Sequence, residues 1–253
     1  MTIWIFVLGA MMGSAANALI DRLPRGEKWG AGRSHCDKCG RKLEWYDLIP
    51  VVSWLALRGR CRYCHSPIPY RNLVVEVLMG VGFLLIFNQF SNFQIFQTLV
   101  LMGIFWVTTI IAVMDWETKL VSEAMVVVWG LLILIFNFQF SIFNQLLINN
   151  FQNNVLGLLT GLFLIGGLWA VSRGKAMGFG DVEIAAVAGW WLGWPAIGVA
   201  IWIAFVSGAA AGLVKIVLGK AKMKSEIPFG PFLVFGTWAA FFWGERLLKI
   251  FNF

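Results

Sequence analysis

Four cysteines occur as two pairs whose spacing is typical of a metal site. Cys36 and Cys39 form one CxxC pair, Cys61 and Cys64 form the second, and 21 residues separate the pairs. Each pair presents two thiolates from a tight turn, and two such turns supply a tetrahedral four-cysteine site for zinc. The separation is slightly longer than the usual zinc-ribbon spacing. Because four thiolates leave no open coordination position, the pattern predicts a structural zinc rather than a catalytic one.

Alternatives to this zinc site stay open at the level of the sequence. The cysteines could form two disulfides, although the charge pattern described below assigns them to the reducing cytosol, where disulfides rarely persist. His35 and His65 each adjoin a cysteine, and we interpret both as surface residues beside the metal rather than as ligands. A loop of about fifty residues is too small to be held together easily by its own core. Zinc would supply the missing stability.

Two aspartates lie next to apolar runs, where acidic side chains are costly and indicate function. Asp115 directly follows the apolar run 104–114, and Asp181 directly precedes another. We expect Gly178 and Gly180, just before Asp181, to support a catalytic loop, because glycine permits backbone conformations that other residues avoid. They could also let a substrate strand approach closely. The other acidic candidates near apolar runs are Glu76, Glu117, Glu123 and Glu183.

Paired aspartates predict acid–base chemistry on a peptide bond. Two carboxyl groups about 3 Å apart share one proton, because both cannot ionise. The ionised group takes a proton from the attacking water, while the protonated group polarises the carbonyl. Both histidines lie in the cysteine loop, so no Ser/His/Asp or Cys/His arrangement competes. Asp181 could instead simply cap the following helix. Since 66 positions separate Asp115 from Asp181, the sequence leaves both interpretations open.

The composition predicts that these residues are positioned by membrane helices. The chain has 253 residues, of which 59% are hydrophobic and 13% charged, and its mean hydropathy is +0.77. A soluble domain carries about 25% charged residues. Apolar runs of near-spanning length predict eight transmembrane helices, at residues 3–20, 73–87, 95–114, 120–136, 155–171, 182–194, 195–218 and 229–248. The run at 182–194 is short for a span.

The basic residues predict the topology. Eleven of the 20 Lys and Arg lie between Arg22 and Arg71, whereas the polar breaks at 88–94 and 138–154 contain none. No positive charge precedes the first apolar run, so we interpret it as an anchor with its N-terminus outside rather than as a signal peptide. The cysteine loop and the segments at 115–122, 173–181 and 220–226 are then cytosolic, as the positive-inside rule expects. The net charge of +7 is thus explained by the topology of the chain in a lipid bilayer. We therefore predict no nucleic-acid partner.

These observations predict an all-α polytopic membrane protein of about eight transmembrane helices, with a small zinc-ribbon-like cytosolic domain between helices 1 and 2. The expected divisions are a first transmembrane helix at 1–20, a zinc-binding domain at 21–71 and a transmembrane aspartyl peptidase domain at 72–253.

Several motifs in a fixed order resemble one known family, the type IV prepilin peptidases. Residues 47–54 and 58–64 are similar to the family's cytosolic domain almost residue for residue, and Gly178-Phe179-Gly180-Asp181 matches its GxGD motif. Further segments that resemble family signatures are residues 13–17, 22–24, 68–76 and 227–232. A lone GxGD would be weak evidence, whereas the ordered set covers nearly the whole chain.

The resemblance implies an inner-membrane enzyme that cleaves the leader of type IV prepilins or pseudopilins after a glycine, with Asp115 and Asp181 as the paired acids. Members with the cysteine-bearing domain are typically bifunctional. They also methylate the newly exposed amine with S-adenosylmethionine. The expected cofactors are therefore the zinc predicted from the cysteine spacing and the S-adenosylmethionine that the resemblance implies, and the motifs do not locate the methyl-donor site.

Two positions depart from the family pattern, and three other functions are considered. Ser122-Glu123 stands where the family has Pro-Asp, and Glu183 stands where it usually has Lys. A presenilin-type intramembrane protease also uses a GxGD aspartate, but it cuts within a span and lacks a zinc domain. A non-enzymatic membrane adaptor would use a zinc ribbon to dock a cytosolic partner and would not need either aspartate. A transporter would want charges near mid-membrane, and these acids lie at span ends.

Overall fold

The computed structural model of the protein describes residues 2–27, 34–90, 95–144, 147–175, 177–219 and 227–250. The predicted cytosolic segment at 220–226 lies outside these residues, as do Lys28 and Arg33 of the predicted cytosolic loop. The described chain is mainly helical. Its α-helices are α1 (Thr2–Arg22), α2 (Val52–Ala56), α3 (Tyr70–Phe90), α4 (Ile95–Thr118), α5 (Glu123–Asn144), α6 (Leu147–Gly161), α7 (Gly167–Ser172), α8 (Phe179–Leu192), α9 (Ala196–Val217) and α10 (Gly230–Ile250).

Five helical segments among the described residues are long and apolar enough to cross a membrane. They are Thr2–Arg22, Tyr70–Phe90, Ile95–Thr118, Phe151–Ser172 and Ala196–Val217. Each of the eight predicted apolar runs overlaps a helix, but the count of eight spans is not confirmed. Helix α8 has only 14 residues, because Gly193 ends it with a φ of +70°.

The helix surfaces are those of a protein surrounded by lipid. Phe163, Val171 and Val217 are each at least 80% exposed, which is unusual for large apolar side chains of a water-soluble monomer. Several hydroxyl groups inside the helices find a partner in their own helix: that of Thr109, for example, donates to the Phe105 carbonyl at 2.7 Å. A bilayer requires such internal pairing, because it offers no water as a partner. The described helices therefore support a multi-pass membrane protein.

The chain divides into two compact units, at residues 1–110 and 111–253, with the boundary inside α4. In the first unit, α1 packs closely on α3 because glycines line the contact. A Cβ atom at Gly9 would lie 2.5 Å from the carbonyl oxygen of Met79, and one at Gly13 would lie 2.7 Å from the Cα of Glu76. Small residues allow this approach of backbones in membrane helix pairs.

The second unit is built on two close helix pairs of the same kind. Gly157 of α6 and Gly189 of α8 each lie against the other's backbone, and Gly236 of α10 lies against Ala200 of α9. Helices α6 and α7 are continuous through a π-helical segment, Leu162–Gly166, whose Ile165 is buried. These contacts fix α8 and the start of α10, the two helices that carry the site described next.

Candidate active site and metal centre

The four cysteines lie together, as their spacing predicts. The sulfur atoms of Cys36, Cys39, Cys61 and Cys64 all lie within 4.8 Å of one another. No disulfide joins them, so the alternative of two disulfides is wrong for this structure. Four thiols at this separation could hold a metal ion, and the soft sulfur donors fit zinc.

Two turns with the same hydrogen bonds build this cluster. The Cys36 N–H donates to the Arg41 carbonyl at 3.0 Å, and the Cys61 N–H donates to the Ser66 carbonyl at 2.8 Å. Four positions after the first cysteine of each pair, Gly40 and His65 have positive φ, of +68° and +55°. The histidine therefore occupies the turn position that glycine fills in the other half. Sequence reasoning interpreted His65 only as a surface neighbour, and its matching offset from the cysteine pair was the available signal.

Two of the four thiols, those of Cys36 and Cys64, are shifted toward the thiolate form that binds metal. The backbone N–H of Cys39, directed at the Cys36 sulfur, lowers the pKa of the Cys36 thiol to about 6. The side chain of Ser66, 3.2 Å from the Cys64 sulfur, lowers the pKa of that thiol. Both cysteines thus lose their protons more readily than a free cysteine does.

Asp115 is held by a helix that is remote in sequence. It lies in the last turn of α4, is only 5% exposed, and its Oδ2 accepts a hydrogen bond from the Gly230 N–H at 3.0 Å. Gly230 is the first residue of α10, so the carboxylate faces a helix N-terminus, where negative charge is favoured. Trp116 packs beside this contact, with its ring 6.2 Å from Phe232 of α10. The pairing of α4 with α10 thereby sets the position of Asp115.

Asp181 is held locally. It is the third residue of α8, it is 7% exposed, and its Oδ2 accepts a hydrogen bond from the Gly178 N–H at 3.2 Å. Gly178 occupies the N-cap position, so Asp181 is not the N-cap residue itself, but its carboxylate still caps the start of α8 by accepting the Gly178 N–H. The carboxylate lies inside the first helical turn.

The two aspartates are brought together by the fold. Both belong to the compact unit 111–253, and their carboxyl groups are close enough to interact electrostatically. Two nearly buried acids that repel each other favour a state with one shared proton. The arrangement can therefore supply one ionised and one protonated carboxyl group to the same substrate.

The two glycines of the GxGD segment have roles other than the backbone freedom that the sequence predicted. Neither Gly178 nor Gly180 has a positive φ. Gly178 is extended and contributes its N–H to Asp181. A Cβ atom at Gly180 would lie 2.6 Å from the Cβ of Val121, so this glycine is needed for space beside the start of α5.

Sequence reasoning missed the role of Gly230. A Cβ atom there would lie 2.6 Å from Oδ2 of Asp115, so only glycine leaves room for the carboxyl group. The available signal was the segment at 227–232, which resembles a family signature.

Glu183, which departs from the family pattern, has an acidic neighbour. Its carboxyl group interacts electrostatically with that of Glu123, which carries the same charge.

Comparisons with known proteins identify the family that this chain resembles. The profile of the "Bacterial Peptidase A24 N-terminal domain" matches residues 7–90, and that of the "Type IV leader peptidase family" matches residues 102–213. Three curated relatives are each named "Prepilin leader peptidase/N-methyltransferase". The one from Stutzerimonas stutzeri is 30% identical over 95% of this chain and 90% of its own. The one from Burkholderia pseudomallei (strain 1026b) is 31% identical over 94% of this chain and 84% of its own. The one from Aeromonas hydrophila is 28% identical over 97% of this chain and 91% of its own.

No solved structure matches this chain significantly. The matched profiles and relatives confirm the resemblance inferred from the motifs.

Proposed function

We propose that this chain, which belongs to the type IV leader peptidase family, is an aspartic endopeptidase. It removes the leader of type IV prepilin-like precursors. The observation that carries the proposal is the meeting of Asp115 and Asp181. Both are nearly buried, both are anchored to backbone N–H groups, and they interact electrostatically.

The two aspartates divide the work of hydrolysis. The ionised carboxyl group removes a proton from water as the water attacks the scissile carbonyl, and the protonated one donates a hydrogen bond to that carbonyl oxygen. The bonds from Gly230 and Gly178 engage Oδ2 of each aspartate. We therefore assign the Oδ1 atoms to water and substrate. Fixing both groups before substrate arrives avoids reorganisation during the reaction.

The substrates are type IV prepilins or pseudopilins, which are cut after a glycine at the cytosolic face of the inner membrane. Eight spans with an external N-terminus put the cysteine loop and both aspartates on that side, in agreement with the positive-inside rule. We divide the chain into a first helix at 1–20, a cytosolic zinc-binding domain at 21–71 and a transmembrane peptidase domain at 72–253.

The cysteine cluster holds structural zinc. Four sulfur atoms within 4.8 Å of one another match the tetrahedral ligand set that zinc takes in closed structural sites. The bound ion would neutralise the thiolates and tie the two turns together. Its contribution is to the folding of the loop.

The protein also methylates the amine that cleavage exposes. This activity is in the printed names of the curated relatives, and S-adenosylmethionine supplies the methyl group. The unprotonated amine attacks the methyl carbon; the bond from that carbon to sulfur breaks, its electron pair stays on sulfur, and the proton of the new ammonium passes to water. An N-terminal amine with a pKa near 8 has a usable neutral fraction at physiological pH.

One experiment tests both activities. Purified protein is incubated with a prepilin, with and without S-adenosylmethionine, and the products are weighed by mass spectrometry. We expect loss of the leader in both reactions and one added methyl group only with the donor. An intact prepilin would contradict the peptidase proposal, and a product cut inside its transmembrane segment would favour the presenilin-type alternative.

A further inference from the structure

A cavity of about 250 Å³ lies in the first compact unit. Its walls are the end of α1, the cysteine loop, α2 and the first turns of α3. Neither Asp115 nor Asp181 lines it. The peptidase chemistry therefore does not account for this cavity.

Two polar atoms in the cavity wall are buried without a partner. Asn17 lines the cavity and is 6% exposed; its Nδ2 donates to the Asn72 carbonyl at 3.0 Å, while its Oδ1 has no hydrogen-bond partner. Trp54 lines the same cavity, and its Nε1–H is likewise buried and unpaired. Leaving such a buried group without a partner is energetically unfavourable. Two residues of the same cavity wall thus carry one acceptor and one donor without a partner, which a bound ligand could supply.

Trp54 is fixed in place by its surroundings. Its ring packs 5.6 Å from the ring of Tyr70, and it also lies directly on Gly59, where a Cβ atom would come within 2.7 Å of the indole. The unpaired N–H therefore has a defined direction rather than the freedom of a surface side chain.

Glu76 adds a buried negative charge to the same cavity. It is 8% exposed, and its Oε2 accepts a hydrogen bond from the Val51 N–H at 2.7 Å. Val51 has a φ of +62° and a ψ of −51°, the rare γ-turn conformation, which is strained for a β-branched residue. Strained backbone of this kind is energetically unfavourable and is found at ligand sites. The strained turn holds an acidic group that the aspartate pair does not use.

We propose that this cavity is the binding site for S-adenosylmethionine, with Glu76, Asn17 and Trp54 as its polar contacts. The donor carries a sulfonium and an ammonium cation, which suit the carboxylate of Glu76 and the free Oδ1 of Asn17. Its hydroxyl, carboxylate and ring-nitrogen acceptors suit the free Trp54 N–H. The volume is slightly below the 300–1,000 Å³ typical of ligand pockets, so the cavity encloses part of the donor. This assignment depends on the proposed methyltransferase activity.

Direct binding to the full-length protein in detergent tests the assignment. Radiolabelled S-adenosylmethionine is titrated into the wild type and into two variants: Glu76→Gln, which keeps the shape of the side chain, and Trp54→Phe, which removes the indole N–H but keeps an aromatic ring. We expect binding about tenfold or more weaker for Glu76→Gln, because a charge-assisted bond is lost, and about threefold weaker for Trp54→Phe. Leader cleavage should stay within about twofold of wild type in both variants, which also verifies their fold.

Two controls carry the same chemical change outside the cavity. Trp45→Phe alters an exposed tryptophan of the same loop that does not line the cavity, and Asp115→Asn removes a buried acid of the other compact unit. Both should bind the donor as wild type does. If Glu76→Gln lost cleavage as well as donor binding, its binding loss would be attributed to misfolding. The donor binding of Trp54→Phe would then test the cavity assignment.

The outcomes separate this assignment from the proposed function. A wild type that neither binds the donor nor methylates trimmed pilin overturns the methyltransferase proposal, and the cavity assignment with it. A wild type that binds and methylates, with both cavity variants binding within twofold of it, overturns the cavity assignment alone.

Discussion

The two aspartates are held in different ways. Asp181 is positioned by Gly178, three residues before it, whereas Asp115 depends on the N–H of Gly230, which lies 115 positions later. A change in the approach of α10 to α4 therefore acts directly on the hydrogen bond of Asp115, whereas the bond of Asp181 lies within the start of its own helix. The geometry of the pair is set by tertiary packing at one carboxyl group and by local structure at the other.

Asp115→Asn and Asp181→Asn should each reduce leader cleavage by at least about a hundredfold, because general acid–base catalysis contributes factors of this size. An amide can neither share nor transfer the proton. Cleavage of a prepilin in membranes, measured at matched expression, tests this. Substantial cleavage by either variant would exclude the shared-proton pair and leave the adaptor alternative standing.

Gly230→Ala should reduce cleavage about tenfold to a hundredfold, since displacement of a catalytic group by about 1 Å has effects of this order. The added Cβ would lie 2.6 Å from Oδ2 of Asp115 and push the carboxyl group away. Gly244→Ala in the same helix is the matched control, because its Cβ would meet only atoms at 3.8 Å or more. Equal activity of the two variants, measured as kcat on one prepilin, would show that the Gly230 contact does not position Asp115.

At the scale of elements, the cysteine loop consists of two similar turns whose own hydrogen bonds are short-range. Each turn places two thiols, but the four-sulfur cluster exists only when the turns meet. Cys36 and Cys61 also line the cavity beside α1 and α3. The four-cysteine cluster is thus part of the cavity wall, and it also brings the two turns of the loop together.

Purified protein should contain one zinc per chain, and Cys36→Ser or Cys61→Ser should lower the zinc content to below about half. Elemental analysis measures this directly. Because a structural metal contributes to folding, we also expect lower thermal stability of both variants. Wild-type protein without metal, in which thiol labelling detects disulfides, would contradict both the zinc site and the cytosolic position of the loop.

The start of α5 and the first turns of α8 carry two acids that repel each other. Glu123 opens α5 and Glu183 lies in α8, and their carboxyl groups interact unfavourably. These are the positions that depart from the family pattern. The repulsion acts between two elements that also meet at the close contact of Val121 with Gly180.

Glu183→Lys should raise the melting temperature of the detergent-solubilised protein by a few degrees, because an attraction of up to about 1 kcal/mol replaces the repulsion. Glu183→Gln, which removes the repulsion only, should lie between this variant and wild type. Thermal unfolding of the three proteins at low ionic strength measures the order. A Lys variant no more stable than the Gln variant would show that the two side chains do not pair.

At the scale of the whole molecule, the two compact units hold different chemistry. Residues 1–110 contain the four-cysteine cluster and the cavity with Glu76, and residues 111–253 contain both aspartates. Separate groups for cleavage and methylation imply that the second reaction depends on the first only for its substrate.

Asp181→Asn should therefore fail to methylate intact prepilin but should methylate pilin that has already been trimmed, at about the wild-type rate. Mass spectrometry of both substrates with S-adenosylmethionine reports the two reactions independently. Wild-type enzyme run in parallel is the control for donor and pilin quality. A variant unable to methylate trimmed pilin, when the wild type does so, would mean that the two reactions share the aspartates.

Patterns that act over short distances in the chain were enough to predict part of this protein. The CxxC spacing predicts the four-sulfur cluster, because each tight turn is closed by hydrogen bonds within a few residues. Hydropathy predicts where the helices lie, since lipid exposure demands long apolar runs. Asp115 and Asp181 stood out because charge at the edge of an apolar run is costly.

Only the tertiary structure decided which of these residues work together. Hydropathy places Asp115 and Asp181 on helix ends but does not say that the ends meet. That depends on how closely backbones approach, as at Gly157 and Gly189 or at Gly236. The pairing of the Gly230 N–H with Asp115, and the collection of Asn17, Trp54 and Glu76 around one cavity, join positions that are far apart in the chain. Such contacts arise from packing between helices, for which no single stretch of sequence carries a periodic or compositional signal.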